Sequence, residues 1–316
     1  MVKEGLICPL AERTKVVTIP TMNLNRRSFL SAAASVATVG GSTMAASDKG
    51  AIGPTWNAVK ITMVREGDDL SDKFKVSRDA GFDGVSLIYP ATDLTIRTAT
   101  KAFDLTGLPI HNVNNSEHWK IRLSDPDPSV RKKAFESVKG TIQFASDVGA
   151  SSILLVVGKV TDPQHENHDH VWNRSTTIIK QLIPIAARLG VRILVENVGN
   201  GFCETPEQWA RYIDQFQSPW VGAFYDIGNH HSRGGADNWA RVLGSRIVKL
   251  DLKGHDTGTA KNCNMYEGDV PWGNVRNELS AIRFTGWVTA ETKGGGLERL
   301  KQVVQRMNKA MGKPAV

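Results

Sequence analysis

Short runs rich in β-branched and other apolar residues recur along the chain: Asn57–Val64, Gly84–Tyr89, Pro109–Asn112, Ser152–Val157, Val191–Glu196, Val221–Asp226, Ile247–Leu252 and Trp287–Glu291. Their length and residue bias predict eight strands. Between them lie amphipathic stretches such as Pro128–Val148, where Val130, Ala134, Val138, Ile142 and Ala145 recur at three- and four-residue intervals. That period predicts helices. Gly81, Gly107, Gly149, Gly190 and Gly244 each stand shortly before a strand, where a left-handed helix cap lets the chain reverse.

Strict alternation of strand and helix predicts an α/β fold with a parallel sheet. No strand is followed by a G-x-G-x-x-G or P-loop glycine pattern, which disfavours an open nucleotide-binding sheet. Eight units without a Pro/Ser/Gly-rich linker predict a single (β/α)8 TIM barrel over residues 48–316.

The first 47 residues read differently. Arg26-Arg27-Ser28-Phe29-Leu30 precedes a small-residue apolar stretch that ends in Ala45-Ala46-Ser47. This resembles a twin-arginine export signal, whose pathway carries proteins already folded. The expectation is a precursor that meets the twin-arginine machinery and a mature protein outside the bacterial cytoplasm. Met22 is a second candidate start. No apolar run reaches the roughly 18 residues a spanning helix requires, so stable membrane insertion is not expected.

Removing residues 1–47 takes away five basic and two acidic groups and lowers the formal charge from +7 to +4. No element concentrates Lys and Arg between aromatics, so no nucleic-acid partner is expected. Three cysteines, Cys8, Cys203 and Cys263, are too few for a disulfide framework, and Cys203 and Cys263 are expected to stay unpaired.

The candidate chemistry lies at the ends of the late strands. Two-residue alternation turns Glu196, Asp226, Asp251 and Glu291 inward, while Val191, Ile193, Val195, Ala223, Tyr225, Val248, Leu250 and Leu252 face the helices. Four carboxylates at one rim repel one another unless a divalent cation or buried lysines compensate them. All-oxygen ligation suits Mg²⁺ or Mn²⁺ better than zinc, and Lys249 and Lys253 share the inward face.

Several stretches together resemble the xylose-isomerase-like sugar phosphate isomerase/epimerase family, which includes ketose 3-epimerases: Val195-Glu196-Asn197, Tyr225-Asp226-Ile227-Gly228-Asn229, Ile247–Lys253, Glu267–Trp272 and Phe284–Glu291. The resemblance implies that Glu196, Asp226, Asp251 and Glu291 ligate one divalent metal, with Mn²⁺ or Mg²⁺ favoured and Zn²⁺ or Co²⁺ as alternatives. It further implies that Glu196 and Glu291 are the catalytic pair, moving a proton beside the carbonyl of an open-chain sugar through an enediolate. In the family pattern, His commonly stands where this chain has Asp251, Glu where it has Ser86, and Gly where it has Tyr266. A sugar lyase or dehydratase on the same site, or a secreted sugar-binding barrel, are the alternatives. DNA repair endonucleases of the superfamily need more strand-end histidines than are present.

His118-Trp119, Asn229, His230, Lys253 and Lys293 are expected at the barrel mouth as substrate-binding residues, with local packing an equal reading for His118-Trp119 and His230-His231. Lys293-Gly294-Gly295-Gly296 precedes a helix near Leu297, where barrels often bind phosphate, although a turn needing positive φ explains the glycines equally well. His165, His168 and His170 are expected in a solvated loop.

Overall fold

The computed structural model describes residues 52–314. The export-signal reading concerns residues 1–47, which lie outside the described residues. Among those described, no helix is long and apolar enough to cross a membrane.

Eight parallel strands close a barrel. In chain order the elements are β1 (Thr55–Lys60), α1 (Leu70–Asp79), β2 (Gly84–Tyr89), α2 (Ile96–Thr106), β3 (Ile110–Asn115), α3 (Pro128–Asp147), β4 (Ser152–Leu155) and α4 (His168–Leu189). There follow β5 (Arg192–Glu196), α5 (Pro206–Asp214), β6 (Val221–Asp226), α6 (Ala236–Leu243) and β7 (Ile247–Leu252). A small antiparallel hairpin, β8 (Gly254–Asp256) and β9 (Lys261–Cys263), leads to α7 (Trp272–Ala281), β10 (Gly286–Ala290) and α8 (Leu297–Ala310). The ring closes where β1 pairs with β10, Thr55 opposite Gly286 and Val59 opposite Ala290.

Local sequence explains where the helices start and stop. Asp69, Thr95, Asp127, Asn167 and Thr205 each cap a helix N-terminus with a side-chain oxygen, and Pro128 and Pro206 stand at first-turn positions. Each such cap contributes about 1 kcal/mol. Gly107 and Gly190 end α2 and α4 in the left-handed region, with φ of 69° and 64°. His168 and His170 belong to the first turn of α4 rather than to a loop, and His170 completes its capping box. Cys203 and Cys263 are free thiols.

The core has two parts. Val59, Val85, Ile153, Ile193, Val195, Ala223, Tyr225 and Leu250 face outward into the layer shared with the helices. Leu154, Leu194 and Phe224 form a separate cluster, and Val248 packs against them. Alternation alone assigns Val248 to the helix side. A register shift places Ala223 opposite Ile247 but Phe224 opposite Lys249, so one extra residue is accommodated and Val248 joins the Leu154, Leu194 and Phe224 cluster. Burial of a side chain such as Phe224 contributes about 2–3 kcal/mol. A second shift between β2 and β3 leaves His111 without a strand partner; its ring stacks on Trp287 at 4.7 Å.

Candidate active site

Glu196 closes β5, Asp226 closes β6, Asp251 is the penultimate residue of β7 and Glu291 follows β10. These strands are consecutive around the barrel, so the four side chains converge at the C-terminal rim. Each offers a carboxylate oxygen, and the four oxygens lie within 4.8 Å of one another. Asp226 and Asp251 are fully buried, while Glu291 retains 34% side-chain exposure at the mouth. At an effective dielectric near 20, two unit charges at that separation repel by about 3 kcal/mol. The cluster therefore requires positive charge.

Two lysines supply part of it. Lys60, the last residue of β1, places Nζ 2.8 Å from Asp251 Oδ2 and 2.8 Å from Glu291 Oε2. Lys253 Nζ lies 2.9 Å from Asp226 Oδ2 and 3.2 Å from Glu291 Oε2. Lys60 was not singled out in the sequence; its one available signal is a lone lysine inside a β-branched run. Lys249 does not serve the cluster. Its ammonium donates to His111 O and, at 3.1 Å, to Ser151 Oγ, away from the rim carboxylates.

With all four carboxylates ionised, as metal ligation requires, the two lysines leave a net charge of −2, which one divalent cation would balance. Asp251 Oδ1 is buried without a hydrogen-bond partner, as is expected of a donor atom that waits for a ligand. The all-oxygen set fits a hard divalent ion. The site thus accommodates such a metal among Glu196, Asp226, Asp251 and Glu291.

The electrostatics separate the carboxylates into two kinds. Burial, reinforced by the Glu291 charge, pushes Glu196 well above the usual carboxylate range. Burial also lifts Asp251 to about 8 and Asp226 to about 6, against the pull of Lys60 and Lys253 respectively. For Glu291 burial acts upward too, but Lys60 and Lys253 outweigh it and hold the group below the usual range. The cluster thus sets carboxyls of unequal proton affinity side by side, and a bound divalent ion would favour their ionised forms.

Asn197 fixes the frame. Its amide donates to Asp226 O at 2.9 Å and its carbonyl oxygen accepts from Asp226 N at 2.8 Å, locking the end of β5 to the end of β6. Asp226 Oδ1 accepts from Gly228 N and Asn229 N at 2.9 and 2.8 Å, which leaves Oδ2 for Lys253 and the centre of the cluster. Gly228 is required by close approach: a Cβ there would stand 2.6 Å from Lys253 Cγ.

The residues expected to bind substrate divide. Lys253 is part of the cluster, and Asn229 Nδ2 donates to Asn197 O at 2.9 Å and reaches Glu196 Oε1 at 3.4 Å. His118 accepts from Val156 N through Nδ1, so its neutral ring carries the proton on Nε2; burial and then Lys60 lower its pKa to about 4. Trp119 packs edge-on against His118 and is 46% exposed. His230 takes the packing alternative. It is buried, stacks on Trp239 at 4.5 Å and meets Asn197 Nδ2 at 3.2 Å, which makes it part of the wall behind Asn197. Lys293 lies on the loop after β10, with its carbonyl accepting from Arg299 Nε. Ser86, where the related pattern has Glu, is buried and donates to Asn114 Oδ1 at 3.0 Å.

Comparison with known proteins agrees with this fold. A putative L-ribulose-5-phosphate 3-epimerase, SgbU of Escherichia coli K12, is 26% identical over 219 residues, covering 65% of this chain and 75% of its own. An L-ribulose-5-phosphate 3-epimerase, UlaE of Salmonella paratyphi A, is 24% identical over 226 residues, covering 68% and 79%. A D-tagatose 3-epimerase-like protein superposes with a TM-score of 0.71 at 16% identity, over 81% of this chain and 97% of that one. The IolI protein, solved with a bound zinc atom, superposes with a TM-score of 0.70 at 15% identity, over 81% and 98%. These named epimerases are enzymes of the isomerase class. The profile of the xylose isomerase-like TIM barrel family matches residues 74–310, and the chain belongs to that family.

Proposed function

We propose that this protein is a divalent-metal-dependent sugar epimerase that inverts a carbon next to the carbonyl of a small ketose. The observation that carries the proposal is the convergence of Glu196 and Glu291, with Asp226 and Asp251, in one carboxylate cluster whose oxygens lie within 4.8 Å of one another and whose charge Lys60 and Lys253 only partly balance. Glu291 would take the proton from the carbon beside the carbonyl, and Glu196 would return one to the opposite face. Lys60 and Lys253 keep Glu291 charged before it acts and stabilise negative charge as it passes to the substrate oxygens. Asn229 orients Glu196, and the His118 Nε2–H and the exposed Trp119 ring suit a sugar hydroxyl and a sugar face. A divalent ion held by Glu196, Asp226, Asp251 and Glu291 would supply Lewis-acid polarisation of adjacent carbonyl and hydroxyl oxygens. The residues support Mn²⁺ or Mg²⁺; the zinc of IolI supports a wider choice of metal.

The test is exchange. Incubation of the Mn²⁺-loaded protein with a panel of ketoses in deuterated water is expected to place deuterium at the carbon next to the carbonyl of both epimers. Retention of full exchange by Glu291→Gln would overturn the two-carboxylate mechanism.

We also propose that residues 1–47 direct export through the twin-arginine pathway, on the strength of Arg26-Arg27 ahead of a small-residue apolar stretch. Replacing both arginines by lysine is expected to retain the precursor in the cytoplasm; unchanged export would refute the assignment.

A further inference from the structure

TIM barrels commonly hold a phosphate between the loops after strands seven and eight and the N-terminus of a short helix, where backbone N–H groups and the positive helix end face the ligand; in this chain the helix start that follows the eighth barrel strand is that of α8. Here that place is already filled. Glu66, on the loop between β1 and α1, accepts from Leu297 N at 2.7 Å through Oε2, so its carboxylate stands at the N-terminus of α8. A Cβ on Gly296 would lie 2.5 Å from the same Glu66 oxygen.

The glycine loop itself is also spent. Val64 and Gly295 form a parallel bridge beyond the end of β1, with Gly295 N donating to Met63 O at 3.0 Å and Arg65 N to Gly295 O at 3.1 Å. A Cβ on Gly294 would fall 2.0 Å from Met63 O, and none of Gly294, Gly295 and Gly296 has a positive φ. Gly294 and Gly296 are therefore explained by close approach of the chain after β1 and Gly295 by that of the Arg299 side chain, neither as a phosphate cradle nor as a left-handed turn. Arg299, in the first turn of α8, directs its guanidinium to Lys293 O, Gln302 Oε1 and Asn264 Oδ1. Glu298 adds a second carboxylate to that turn.

We infer that Glu66 is a specificity residue that makes this enzyme act on unphosphorylated sugars, by occupying the helix end with a carboxylate that repels a phosphate dianion. The inference rests on the epimerase reading for its substrate, but its central claim concerns anion binding and is tested without turnover. It sets the chain apart from its sequence relatives, whose names specify a ketose phosphate.

Two measurements decide it. Titration of wild type, Glu66→Ala and Glu66→Gln with inorganic phosphate, by calorimetry, is expected to give weak binding to wild type and about tenfold tighter binding to Glu66→Ala. Glu66→Gln keeps an acceptor for Leu297 N without the charge and is expected to fall between them; it also covers the case in which the alanine variant folds poorly. Equal phosphate affinity in wild type and Glu66→Gln overturns the inference, whatever the enzyme turns over. Deuterium exchange with paired free and phosphorylated ketoses is the second arm. Preference for the free sugar supports the inference, and preference for the phosphate overturns it. Exchange with neither sugar counts against the epimerase reading, and the titration still decides the role of Glu66.

Discussion

Lys60 and Asp251 form an ion pair of 2.8 Å that joins the end of the first barrel strand to the end of the seventh, across 191 residues of sequence. Asp251 is fully buried and Lys60 is 12% exposed, so neither charge is screened as a surface pair would be. The pair occupies a corner of the carboxylate cluster and sets how much positive charge a metal must bring.

Lys60→Met removes one of two internal cations while leaving the carboxylates in place. Loss of one partner of a buried pair is expected to lower the stability of chelator-treated protein by about 3 kcal/mol. The variant's cluster is more negative, so a divalent ion should restore more stability to it than to wild type. Calorimetric melting with and without Mn²⁺ checks this; an equal metal-induced rise in Tm in both proteins would show that Lys60 lies outside the metal's electrostatic reach.

Asp251→His exchanges an anionic oxygen for a neutral imidazole nitrogen and frees Lys60 from its partner. Nitrogen ligation suits zinc better than it suits Mg²⁺ or Mn²⁺. The variant is expected to gain about tenfold in zinc affinity relative to Mn²⁺. Competitive metal titration followed by elemental analysis reads the ratio, and an unchanged ratio would remove Asp251 from the ligand set.

The four carboxylates were legible because strand alternation has a period of two and because barrel chemistry collects at strand ends, so Glu196, Asp226, Asp251 and Glu291 could be placed from their own runs alone. Lys60 was not, because the apolar run was read through to Val64 and its lysine carried no neighbouring motif; its role depends on β1 closing against β10. Val248 and His111 were unreadable for a different reason. Each sits at a register shift, which alternation within one strand does not encode. His230 was read from its place after β6, yet its environment is set by Trp239 on the next helix. Glu66 meets Leu297 across 231 residues, and no local pattern marks a carboxylate that caps a distant helix.

Glu166 ties together the two loops that follow β3 and β4. Its carboxylate accepts from Arg122 Nε and a second guanidinium nitrogen at 2.9 and 2.8 Å, from Ser124 Oγ at 2.6 Å and from Thr161 Oγ1 at 2.5 Å, with no exposed side-chain surface. Burial acts to raise its pKa, but the Arg122, Ser124 and Thr161 hydrogen bonds outweigh it and lower the group. A depressed carboxylate contributes stability that is present above its unfolded pKa, near 4.3, and is lost as pH falls through the folded value. Wild type should therefore lose stability on acidification below about pH 4. Glu166→Gln should be less stable by about 3 kcal/mol at neutral pH and should show less of that acid loss. Chemical denaturation across pH 3–7 checks both; an identical pH slope in the variant would deny Glu166 its part.

Gly228→Ala tests whether the position of Lys253 matters to the chemistry. The new methyl carbon would meet Lys253 Cγ at 2.6 Å and the carbonyl oxygens of Lys253 and Gly254 at 3.2 and 3.3 Å, so the lysine stem must move while the backbone can stay nearly fixed. Its ammonium would then withdraw from Asp226 and Glu291, now 2.9 and 3.2 Å away. The expected result is a fall in exchange rate of about tenfold to a hundredfold, at or below the low end of what removing one positioned group costs because the lysine is shifted and not deleted, with folding retained. If the loss acts through Lys253, Gly228→Ala added to Lys253→Ala should cost little more than Lys253→Ala alone. Additive losses in the double variant would instead place the effect of Gly228 in the turn that holds Asp226.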